Sequence, residues 1–207
     1  MARKNKILLS VLILSFIFSS PNSFAFQSAC NSPVDFLKLE VKDITRLNKL
    51  KESRFKGINA ALREENQANR EMLANLFEND FFKIDDRNKL FGKYNCRTIK
   101  LGGLGEITAY KLFKCEIWAE EEAIVIKKTT GSQNFMGILT PSEDGYVYSG
   151  AKNYGYEKIY KLYGDDKERN QVGCLNALNK EMTSFVLELP SPKLESYHDI
   201  ILLNKEN

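Results

Sequence analysis

The hydrophobic pattern along the chain changes period once. Between about residues 34 and 78, apolar side chains return every three or four positions: Leu37, Val41, Ile44, Leu47 and Leu50, then Ile58, Ala61 and Leu62. Met72, Leu73, Leu76 and Phe77 form a second patch. This spacing lines one face of a helix and predicts a helical segment with a single buried stripe. The charged, amide-rich run 63–70 is either a solvated face or a turn between two helices, and Gly57 is a weak point in the helix interior, costing about 1 kcal/mol relative to alanine. The helices could lie on a membrane surface, but their polar positions mix acids with bases, so packing against the body of the protein is the better expectation. A polar linker, 79–89, follows around Phe81 and Phe82.

Beyond Phe91 the period falls to two, and glycine-bearing turns separate short runs. Strands are predicted at 94–101, 108–118, 123–129, 135–140, 146–150, 172–178, 183–189 and 197–203, with Pro141-Ser142-Glu143-Asp144-Gly145 a turn between two of them. About eight short strands without intervening helices predict an antiparallel sheet packed as a sandwich or closed as a barrel. The fold class expected is therefore α+β: a helical segment (26–90), then a mainly antiparallel β-domain (91–207), with a lipocalin-like barrel favoured over a sandwich. An eight-stranded barrel has room inside for side chains or one small ligand.

The first 25 residues fit neither period. Arg3, Lys4 and Lys6 precede an apolar run, 7–18, and Ser23-Phe24-Ala25 has the small–x–small form of a leader-peptidase site. A helix of twelve residues rises about 18 Å, short of the roughly 30 Å hydrocarbon core, so the run reads as a signal peptide cleaved after Ala25 and not as a membrane span. Lipidation at Cys30 is disfavoured, because Gln27 occupies the position where a lipoprotein signal carries an aliphatic residue. This segment also explains the net charge of +3: without it, 27 basic residues face 27 acidic ones. A neutral body has no general electrostatic reason to bind nucleic acid, and no later stretch is apolar enough to span a membrane. The expected location is the periplasm.

Export into an oxidising compartment makes disulfides the first reading of Cys30, Cys96, Cys115 and Cys174. Of three pairings, Cys96–Cys115 is the most economical: both lie in alternating runs on either side of Leu101-Gly102-Gly103-Leu104-Gly105, which could reverse a hairpin and bring them to facing positions. Cys30 and Cys174 are then left either for each other or as free thiols.

Candidate chemistry is sparse. His198 is the sole histidine, and in its alternating surroundings it reads as a surface or hydrogen-bonded strand residue. No Cys-x-x-Cys or histidine pair suggests a metal, and neither Asp85-Asp86 nor Asp165-Asp166 has the spacing of a calcium loop. The glycine-rich 101–106 segment lacks the lysine–serine ending and following helix of a phosphate loop. Tyr154, Tyr156, Tyr160 and Tyr163 cluster between the fifth and sixth predicted strands, where packing on the body is favoured over stacking on a ligand. No catalytic set, cofactor or metal is assigned.

Four ordered motifs resemble the bacterial domain-of-unknown-function family 4893. They are Tyr94-Asn95-Cys96-Arg97-Thr98-Ile99-Lys100-Leu101-Gly102 with Phe113-Lys114-Cys115; Thr130-Gly131-Ser132-Gln133 with Gly137; Tyr163-Gly164-Asp165-Asp166-Lys167-Glu168-Arg169 with Val172-Gly173; and Pro190-Ser191-Pro192-Lys193-Leu194-Glu195-Ser196 with Asp199-Ile200-Ile201. Asn134 replaces an arginine usual in the second motif, and Cys174 an aliphatic residue. The resemblance implies an exported protein in which Cys96 and Cys115 match a two-cysteine motif, and it implies no activity. Among the motif residues, Arg97, Lys100, Glu168, Arg169, Glu195 and Asp199 suit an ion-pair network across strand ends, or else charges ringing one barrel mouth to meet a ligand or partner; Ser132 and Gln133 join them if they face that ring. The functional expectation is a non-catalytic binding or interaction module of the cell envelope, whose partner is a small molecule or an envelope protein. The alternatives are a carboxylate-based envelope enzyme, a module like a periplasmic protease inhibitor, and a structural envelope component.

Overall fold

The computed structural model describes residues 38–78 and 80–206; the leader, Ala25, Cys30 and Leu37 lie outside them. Three helices come first, α1 (Val41–Asn48), α2 (Leu50–Ala61) and α3 (Gln67–Phe77), then a 3-10 turn at Arg87–Leu90. The run 63–70 resolves into a turn and a helix start: Asn66 caps α3 by accepting the Asn69 N–H. Nine strands follow: β1 (Gly92–Leu101), β2 (Ile107–Ala109), β3 (Phe113–Glu120), β4 (Ala123–Lys128), β5 (Gln133–Pro141), β6 (Tyr146–Tyr154), β7 (Asn170–Ala177), β8 (Ser184–Pro190) and β9 (His198–Lys205). All pairs are antiparallel, and β9 returns to β1, so eight strands close into a barrel with β2 as an extra strand on the end of β1.

The alternation of each strand sorts its side chains between lumen and outer wall. Tyr94, Ile117, Ile126, Tyr148, Phe185 and Leu187 point inward and form the main core. Strands β7, β8 and β9 are buried along almost their whole length because both faces are covered. Their outward residues Val172, Cys174, Val186 and Ile200 meet Leu47, Leu50, Leu73 and Leu76 of the helices. The outer face of β3 has no such cover, and its burial alternates.

Four expectations change. The predicted strand 108–118 is two strands, because residues 110–112 leave the ladder. The β1–β2 register sums to one residue less than the β1–β3 register, the signature of an inserted residue. The predicted apolar stripe of the first helix is interrupted, since Val41 is 80% exposed while Leu47 and Leu50 are buried. Gly57 is a contact and not a weak point: a Cβ there would sit 2.9 Å from the Cβ atoms of both His198 and Leu101, so the missing side chain lets α2 cross the barrel wall closely.

Cys96 and Cys115 form a disulfide with Cα atoms 5.8 Å apart. They do not face each other as expected. Cys96 is opposite Phe113 and Cys115 opposite Tyr94, so the bridge spans a diagonal on the inner face. Cys174, fully buried beneath α1, is also disulfide-bonded, and no described cysteine is free.

Candidate functional site

The two ends of the barrel are built differently. At one end, short turns (121–122, 142–145, 178–183) and the 3-10 turn close over a lumen filled with side chains. Leu90 plugs it: its carbonyl accepts the Tyr94 hydroxyl, and Tyr94 meets Phe185 edge to face, ring centroids 6.0 Å apart. At the other end the loops 102–106, 110–112, 129–132, 155–169 and 191–197 surround a cavity of about 370 Å³. Its apolar lining comes from Phe113, Phe135, Leu189 and Ile201, and its inner wall carries Lys100, Lys128 and Lys152.

Each of these lysines sits at the mouth end of its strand, at a position whose parity points inward. Lys128 continues the inward series Ile124, Ile126, and Lys152 continues Tyr148, Gly150. Lys100 is neutralised: its Nζ lies 2.5 Å from Glu195 Oε2 and 3.9 Å from Asp199 Oδ2. Burial alone would lower the Lys100 pKa, but these two carboxylates outweigh it and hold it above the usual lysine value. In return, Lys100 holds Glu195 below the usual carboxylate range, while burial pushes Asp199 up.

Lys128 is different. It is 5% exposed, donates to the Gln133 carbonyl at 2.5 Å, and lies 3.7 Å from the Phe113 ring centroid. No carboxylate is paired with it among the described residues. Desolvation lowers its pKa to about 8.

Of the residues singled out from sequence, Lys100, Ser132, Gln133, Glu168, Arg169 and Asp199 all line this cavity, and Glu195 reaches it through Lys100. Arg97 does not line it; it stands on the opposite face of β1, with its Nε buried and without a hydrogen-bond partner. The ion pairs form separate groups instead of one network. Lys100 holds Glu195 and Asp199, Arg169 holds Glu157 and Asp166, and Lys193 holds Glu168. Lys128 and Lys152 were missed from sequence: their inward parity has meaning only in a closed sheet, and the strand predicted at 146–150 ends before Lys152, whereas β6 runs to Tyr154. The tyrosine cluster divides: Tyr160 bonds Asn134 and Tyr163 donates to Asp43 at 2.7 Å, packing on the body, whereas Tyr154 stacks on Tyr156, which is 80% exposed.

His198 is fully buried on the outer wall, beneath α2. Its Nε2 is 3.0 Å from Glu188 Oε1 and its Nδ1 3.0 Å from Ser53 Oγ. Arg54 grips Glu188 with two hydrogen bonds of 2.6 and 2.5 Å. Burial raises the Glu188 pKa, yet His198 and Arg54 outweigh it and keep the group below the usual carboxylate range. Serine, histidine and carboxylate thus meet, but Ser53 Oγ donates to the Tyr197 carbonyl and accepts the Ser191 N–H, both at 2.8 Å, so its lone pairs and proton are committed. The set is a clamp joining α2 to β8 and β9. Among the described residues no cluster of three His, Cys, Asp or Glu is placed to hold a metal, and no helix is long and apolar enough to cross a membrane.

The chain matches the family described as "Domain of unknown function (DUF4893)" over residues 38–203, and with that coverage it belongs to this family. No curated protein and no solved structure matches it.

Proposed function

We propose that this member of the DUF4893 family is a non-catalytic binding module that holds a small amphipathic anion in its barrel mouth. The observation that carries this reading is Lys128, a cation buried in the wall of a cavity without a carboxylate to balance it. A buried charge left without a partner costs several kcal/mol, and an incoming carboxylate, sulfonate or phosphate removes that cost. Lys152 adds charge on the same wall, while Phe135, Leu189 and Ile201 offer apolar surface to the rest of the ligand. The volume falls within the range of small-molecule sites, which are mostly apolar with a few placed polar groups.

The setting proposed with it is the periplasm: a leader (1–25) removed after Ala25, then a helical segment (26–90) and the barrel domain (91–207). The Cys96–Cys115 bridge supports an oxidising compartment. Native mass spectrometry of the protein purified from the host periplasm tests both points. The expected result is a mass beginning at residue 26 with an adduct of reproducible size, absent from Lys128→Met. A bare mass in the wild type, or an adduct indifferent to that substitution, contradicts the binding site; an uncleaved leader contradicts the setting.

A further inference from the structure

Lys128 has the surroundings of a reactive amine. The turn after β4 is built over it: Gln133 turns its carbonyl to Nζ, and Phe113 presents its ring face from the other side. Gly131, at φ +98°, completes the turn. A Cβ there would lie 3.1 Å from Lys128 Nζ and 2.8 Å from Phe113 Cε1, so only glycine lets the turn pack this closely against the amine and the ring at the cavity wall. The motif Thr130-Gly131-Ser132-Gln133 thereby gains a local purpose: it fixes the position of the amine in the cavity wall.

We propose that the Lys128 amine is a covalent capture site for a small aldehyde that also carries an anionic group. The inference rests on the anion-binding reading of the same cavity and adds a bond to it. With its pKa at about 8, roughly a quarter of Lys128 is free base at pH 7.5, against about one part in a thousand for an ordinary lysine. The neutral amine adds to the carbonyl carbon, forming the C–N bond, and the carbonyl oxygen takes up a proton. The resulting hydroxyl leaves as water with the amine's proton, giving an imine and one water without change of oxidation state; hydrolysis reverses the sequence. Lys152 on the same wall supplies charge for the anionic group.

Pyridoxal 5′-phosphate, an aldehyde with a phosphate, is the probe. The full chain is treated across pH 6–10, reduced with borohydride and mapped by peptide mass. The expected result is modification of Lys128 at least tenfold faster at pH 7.5 than of exposed Lys51, with a midpoint near pH 8, and loss of that adduct in Lys128→Arg while circular dichroism is unchanged. Lys128 left unmodified, or modified no faster than Lys51, overturns the proposal. Pyridoxine 5′-phosphate, which lacks the aldehyde, separates the two readings. If it binds and the aldehyde leaves Lys128 unmodified, covalent capture falls and anion binding stands. If it does not bind and Lys128 remains unmodified, both fall.

Discussion

The closed end and the mouth of the barrel are made by the same eight strands with the same alternation, yet they differ in what the inward positions carry. At the closed end those positions hold Tyr94, Ile117, Phe185 and Leu187, all less than 2% exposed, and short turns seal them. At the mouth they hold Lys100, Lys128, Lys152, Gln133 and Asp199, and the loops are longer, reaching fifteen residues between β6 and β7. Inward apolar groups stabilise a barrel by leaving water and packing together. Inward cations do the reverse unless they are partnered. One end therefore holds the fold, and the other carries a buried cation whose charge no carboxylate balances among the described residues.

Variants sharpen this contrast in order of size. Phe185→Ala at the closed end should lower stability by about 3–5 kcal/mol, measured by denaturant unfolding. A loss under 1 kcal/mol would mean the closed end is not the core. Replacing Cys96 and Cys115 together by alanine should cost roughly 3 kcal/mol, since a bridge across a sequence separation of 19 restricts the unfolded chain. An unchanged midpoint would show that the diagonal staple between β1 and β3 contributes nothing.

Lys128→Met addresses the mouth and should act in the opposite direction. The folded-state pKa of Lys128 is depressed to about 8 from the ordinary lysine value of 10.5, so between these values the unfolded chain binds more protons. Stability of the wild type should therefore rise by about 3 kcal/mol as pH climbs through that window, and the penalty is fully present below pH 8. Taking the difference between wild type and Lys128→Met isolates this contribution from other lysines, among them Lys100, whose raised pKa acts oppositely at higher pH. A difference independent of pH would contradict the buried, unpaired state of Lys128. The smallest effect belongs to the rim. Glu168, 85% exposed and 3.6 Å from Lys193, should accept Gln with no measurable change in unfolding midpoint.

Much of this contrast was legible in the residues, for identifiable reasons. Period-two alternation located the strands because a half-buried sheet imposes it, and the helical period located α1 to α3. The split at residues 110–112 was hidden because an inserted residue leaves the hydrophobic pattern nearly intact. Val41 looked like a core position, but it stands on the side of α1 away from the buried Asp43 and Leu47 and is exposed. The mouth was only partly visible. Motif residues such as Ser132, Gln133 and Arg169 do line it, while Lys128 and Lys152 passed unnoticed as ordinary charges at strand ends. Their parity placed them inside, but parity acquires that meaning only once the sheet is known to close. The clamp of Ser53, Arg54, Glu188 and His198 joins residues more than 130 positions apart, and no local pattern encodes such a meeting.

The proposed binding of an amphipathic anion at the mouth depends on Lys128 being a buried cation without a counter-charge. Calorimetric titration of octyl phosphate and of octanol into the wild type and Lys128→Met at pH 7 tests it most directly. The account predicts saturable binding of octyl phosphate to the wild type, at least tenfold weaker binding to the variant, equivalent to about 1.4 kcal/mol, and weak binding of octanol to both. Equal affinity of wild type and variant for octyl phosphate, or an equal preference of the wild type for octanol, would contradict it.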